Sequence, residues 1–80
     1  MVYLKFVVEN DDGEIIYDFM PESPHAKPGS VSVNRITHER KLIRKSPDSP
    51  LSMYHAHAWK RVDQMIVDNN LKQETYAAWY

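Results

Sequence analysis

Two runs of alternating apolar residues flank Asn10-Asp11-Asp12-Gly13, and this arrangement restricts how the chain can begin. Over 2–8, Val2, Leu4, Phe6 and Val8 occupy every second position. Successive strand side chains point to opposite faces, so the spacing predicts a strand with one buried side. Asp-Gly supplies the positive φ that a tight hairpin needs. The return strand over 14–20 sets Ile15, Tyr17 and Phe19 on one face and Ile16, Asp18 and Met20 on the other.

Pro21, Pro24, Pro28 and Gly29 then predict a stiff connecting loop over 21–29, because proline lacks the N–H a ladder or helix interior requires. A third strand is expected over 30–36, with Val31 and Val33 inward, followed by a polar break at Thr37-His38. A fourth is expected over 39–45, where only Leu42 and Ile43 are apolar. Its Lys and Arg residues suit a sheet edge, since charge discourages pairing with a second molecule. Ser49 and Pro50 read as the N-cap and first position of a helix running to Asn69, with Asn70 as a left-handed C-terminal cap. Leu51, His55, Ala58/Trp59, Val62 and Met65/Ile66 recur at three and four and predict its buried stripe. Residues 71–80 admit continued helix or a short strand; the aromatic composition of 75–80 favours the strand. The expected fold is α+β, a single domain over 1–80 with four to five antiparallel strands on one helix in the order β-β-β-β-α-β. Its core draws on Leu4, Phe6, Ile15, Tyr17, Val31, Val33, Trp59, Val62 and Ile66.

Eighty residues provide one small core, and a deep internal substrate cavity is not expected. Cysteine is absent, which excludes disulfides, thiolate zinc sites and a cysteine nucleophile. The first residues alternate rather than forming a long apolar run, so a signal peptide or membrane span is not expected and a cytoplasmic location is. His55 and His57 stand two apart; on a helix that is about 200°, so they cannot share an ion. His55 falls in the apolar stripe and reads as a half-buried imidazole bonded to backbone, whereas His57, beside Arg61, reads as a solvated surface residue. A metal site built from His25, His38 and a carboxylate has no supporting spacing. No serine sits in a nucleophile elbow, and two glycines cannot build a phosphate-cradling loop. No enzyme activity, cofactor or metal is therefore expected.

Charge is more informative. Glu9, Asp11, Asp12, Glu14, Asp18 and Glu22 form an acidic stretch, and Arg35, Arg40, Lys41, Arg44 and Lys45 a basic one interrupted by Glu39. The basic hairpin could contact an anionic partner or nucleic-acid phosphates. The net charge of −1 and the lack of stacking aromatics in that segment weigh against it. Cross-strand pairing of the two stretches is the simpler reading. Tyr76, Trp79 and Tyr80 form an aromatic end that completes the core or meets a second copy or another protein. A single helix covers only one sheet face, and the other would carry Tyr3, Lys5, Val7, Ile16 and Met20, a mixed surface suited to an interface.

Ser30-Val31-Ser32-Val33-Asn34-Arg35, the helix string Tyr54-His55-Ala56 with Trp59-Lys60-Arg61-Val62, and the closing Ala78-Trp79-Tyr80 make the later two-thirds of the chain resemble a set of small bacterial proteins of unassigned function. The resemblance implies a compact α+β domain with a closing strand and brings no site residues. The chain departs from it in the proline-rich stretch over 21–28 and in a more basic fourth strand. Together these readings lead us to expect a small non-enzymatic interaction or accessory domain with a protein partner or self-association. Binding of nucleic acid or another anionic partner through Arg35–Lys45 is the alternative.

Overall fold

The computed structural model describes residues 1–79. Five strands form one antiparallel sheet: β1 (Val2–Glu9), β2 (Glu14–Pro21), β3 (Gly29–Asn34), β4 (Arg40–Arg44) and β5 (Glu74–Ala77). One helix, α1 (Ser52–Val67), lies between β4 and β5 in sequence. The spatial order is β4-β3-β2-β1-β5. The first four strands are a meander, and α1 carries the chain back across one face so that β5 pairs with β1. This is the α+β architecture expected from the periodicity, with the last strand at an edge.

The first hairpin closes through Gly13 N–H to Asn10 C=O at 2.9 Å and Asn10 N–H to Glu14 C=O at 2.8 Å, with Gly13 at φ 91°. Alternation in β1 breaks at a register shift between Phe6 and Val8, which pair with Tyr17 and Ile16. The extra residue moves Val8 to the open face, where it is exposed, instead of joining Val2 and Leu4 in the core. Pro21 belongs to β2, opposite Val2, and not to the loop. It lies beyond the last β2–β3 pair, Phe19–Gly29, so its missing N–H leaves no rung broken. Gly29 likewise opens β3 rather than ending the loop, and a Cβ there would lie 2.3 Å from the Phe19 ring. At the far end, β3 stops at Asn34 because the Asn34 carboxamide accepts from the N–H groups of Ile36 and Thr37 at 2.8 and 3.0 Å. These bonds turn the chain, and β4 spans only Arg40–Arg44.

Both helix ends differ from the sequence expectation. Ser46 through Ser49 close their own turn, with Ser46 buried and the Ser49 hydroxyl accepting from Leu51 N–H at 3.3 Å. The N-cap is consequently Leu51, without a side-chain cap bond. At the C-terminus Asn69, not Asn70, is left-handed at φ 51°. Asn70 N–H bonds Met65 C=O at 2.9 Å and Asn69 N–H bonds Ile66 C=O at 3.0 Å, a Schellman closure.

The core lies between the sheet and α1. Val2, Leu4, Ile15, Tyr17, Phe19, Val31 and Val33 meet Tyr54, Ala58, Val62, Met65 and Ile66 there. Phe6 and Trp59, expected in the core, pack at its margin. Tyr54 replaces Leu51 on the buried stripe; Leu51, the extended N-cap, lies outside the helix and is exposed. The Tyr17 hydroxyl donates to Lys72 C=O at 2.6 Å, tying the segment before β5 to the central strand. Burial pushes the Tyr17 hydroxyl above its ordinary pKa, with the nearby Arg61 charge opposing. No described helix is long and apolar enough to cross a membrane.

Candidate functional site

The five cations of the basic segment do not share one surface. Arg40 pairs with Val33, a core-facing position, and its guanidinium reaches the Asp63 carboxylate on α1. Lys41 pairs with Ser32 on the open face, 4.0 Å from Glu14 and 3.9 Å from Glu39. Arg44 also lies on that face and reaches the Ser30 hydroxyl at 3.4 Å; Ser30 in turn donates to Asp18 at 2.8 Å. Arg35 sits beyond β3 and grips Glu9 with two bonds of 2.8 and 2.9 Å, holding that carboxyl below its usual range. Lys45 lies near His55. Arg35–Glu9 and Lys41–Glu14 join the basic and acidic stretches as expected from sequence, whereas Arg40 pairs instead with Asp63 on the helix.

Of the two helix histidines, His55 has the burial expected from sequence and His57 does not. His55 is half-buried, with the Phe19 ring at 6.3 Å and the Trp59 ring at 5.0 Å. Burial, followed by the Lys45 charge, lowers its pKa. His57 is not a solvated surface side chain: its ring stacks on Trp79 at 3.9 Å and 4°. Among the described residues no group of three or more His, Asp or Glu side chains could hold a metal ion.

Of the aromatic end, Tyr80 lies outside the described residues, and Tyr76 and Trp79 fall on opposite sides of β5. Tyr76, 56% exposed, sits on the open face with its ring 6.3 Å from Tyr3. Trp79 lies on the helix side, packing edge-on to Tyr54 at 5.8 Å as well as on His57. The open face also carries Ile16, Asp18 and Met20, and a shallow hollow of about 220 Å³ lies between Tyr3, Met20, Pro24 and Glu74.

A larger groove of about 320 Å³ runs between α1 and the end of the chain. Its helix wall is His57, Lys60, Arg61 and Gln64, which share one side because they recur at i, i+3, i+4 and i+7. Ala77 and Ala78 form the opposite side, and their small side chains leave the space open. Arg61 Nη2 donates to Thr75 Oγ1 at 3.1 Å, which positions the guanidinium. In the sequence alone, Lys60, Arg61 and Gln64 read as part of the helix's solvated outer face. Nothing local indicates that β5 and Trp79 return beside it.

The two sheet edges are unequal. On β4, Arg40, Lys41 and Arg44 flank the apolar pair Leu42-Ile43, and the register of its pairing shifts between Ser30 and Val31. On β5, Phe6 N–H bonds Gln73 C=O at 2.8 Å, so by alternation Thr75 and Ala77 direct their backbone groups at β1. The backbone groups of Glu74 and Tyr76 then point outward along a free edge. Comparison with protein families, with curated proteins and with solved structures found no match.

Proposed function

We propose that this protein is a small non-enzymatic interaction module that takes an extended segment of a partner protein as an added strand on the free edge of β5. The observation carrying the reading is the inequality of the edges. Charge at both ends and an irregular register guard β4, whereas β5 offers outward backbone groups beside the exposed ring of Tyr76. Strand addition derives affinity from main-chain hydrogen bonds and selectivity from the alternate side chains. An anionic partner on Arg35–Lys45 is the weaker reading, because Arg35, Arg40 and Lys41 already face Glu9, Asp63, Glu14 and Glu39.

The test is selection of peptides from a displayed random library, with binding mapped by backbone amide shifts. Selected peptides are expected to perturb Glu74 and Tyr76 most. Tyr76→Pro removes an outward N–H while sparing the bonds to β1, and should weaken binding tenfold or more without loss of fold. Peptides that map to β4, or that bind Tyr76→Pro as well as the parent, would rule the reading out.

A further inference from the structure

Resting on the strand-addition reading, we infer that the groove between α1 and β5 is a carboxylate-recognition site that selects partner segments carrying an Asp or Glu side chain. A strand added to β5 directs alternate residues to the face shared by Thr75 and Ala77, which is the side of the helix wall. A side chain entering there meets Lys60 and Arg61 and, among the described residues, no lining carboxylate. Neither cation forms an ion pair among the described residues, in contrast to Arg35 and Arg40. The nearest acid of that stripe is Asp68, one turn beyond and bonded by Gln64 Nε2 at 3.0 Å.

The geometry favours a planar carboxylate. Thr75 holds one Arg61 nitrogen and leaves further N–H groups of the fork for an incoming acid, the pattern in which arginine binds carboxylates in two-point fashion. Lys60 is more exposed and supplies a second, mobile charge from the groove's rim. The His57–Trp79 stack closes one end and limits the volume to about 320 Å³, enough for a Glu side chain with water. The apolar parts of Ala77, Ala78 and Trp79 line the groove opposite these cations.

The test is library selection against the parent protein and against K60Q/R61Q, each first shown by circular dichroism to melt cooperatively. Enrichment of one acidic position in the parent set, absent from the K60Q/R61Q set, is expected. Replacing that Glu by Gln in a synthetic peptide should weaken parent binding tenfold or more and leave K60Q/R61Q binding unchanged. Raising salt from 50 to 300 mM should narrow the difference between the two peptides, roughly as screening dictates. Peptides that depend on the Tyr76 N–H yet show no acidic preference would overturn the carboxylate site and leave strand addition standing. Acidic peptides that bind Tyr76→Pro undiminished would overturn strand addition and keep the groove as an anion site. No enrichment from either selection would overturn both.

Discussion

His55 shows how one side chain couples composition to stability. Its ring lies against Phe19 and Trp59 with Lys45 nearby, so the folded protein resists its protonation more than the unfolded chain does. A base with a depressed folded pKa binds fewer protons in the native state, so its contribution is full above the ordinary histidine value near 6.5 and is lost as pH falls below it. The melting temperature should therefore drop between pH 7.5 and 5.5. In His55→Phe, which keeps a ring in the same contacts, the drop should be smaller; an unchanged pH profile would assign the effect to other groups. His57 teaches a different lesson at the same scale. Two residues away on the same helix, it lies on another side and acquires a stacking partner from the end of the chain.

At the scale of elements, the ion pairs divide into those that join neighbouring turns and those that join layers. Arg35 ties β1 to the β3–β4 turn at the surface, whereas Arg40 spans from the edge strand to the helix. Asp63 is the more sheltered acid, and its Oδ1 is buried without a hydrogen bond, with His38 Nδ1 3.6 Å away. Removing Arg40 strands a partly buried carboxylate, so Arg40→Gln should destabilise by about 1–3 kcal/mol. Arg35→Gln should cost no more than about 1 kcal/mol, since its partners remain solvated. Urea denaturation of the two variants at pH 7 measures the difference, and equal losses would refute this ranking. Strands β2 and β3 owe their persistence to burial, while β4 is held by pairing along β3 and by side chains reaching from α1, including the Trp59 indole.

The whole molecule is a meander closed by one long-range return. β1 to β4 pair through neighbours in sequence, but β5 meets β1 only after the helix has crossed the sheet. β5 is also short, and it has few buried groups to hold it beyond the Tyr17–Lys72 bond and the Trp79 contacts. Native-state hydrogen exchange should therefore find the Thr75 and Ala77 amides opening at lower free energy than those of β2, by about 1–3 kcal/mol. Identical opening energies would make the domain a single cooperative unit instead. An easily opened edge strand beside an unfilled groove is consistent with the proposed binding surface, because ligands commonly engage the less stable parts of a fold.

Local chemistry determined much of this. Alternation in 2–8 and 14–20, the Asn-Asp-Asp-Gly turn and the helical stripe are short-range patterns whose energies arise within a few residues, and they suffice for the α+β class and most of the core. The bulge after Phe6, the move of the N-cap from Ser49 to Leu51 and the assignment of the left-handed cap to Asn69 needed the folded context. For the N-cap a competing contact displaced the locally preferred one: Ser46 and Ser49 are engaged in their own turn before the helix begins. The candidate groove was least visible of all. It joins residues 57–64 to residues 77–79, and only the packing of β5 against β1 determines that those two stretches face each other. Charge pairing depended on the same long-range geometry: the composition supplied near-equal numbers of acids and bases, and the tertiary fold decided which of them meet.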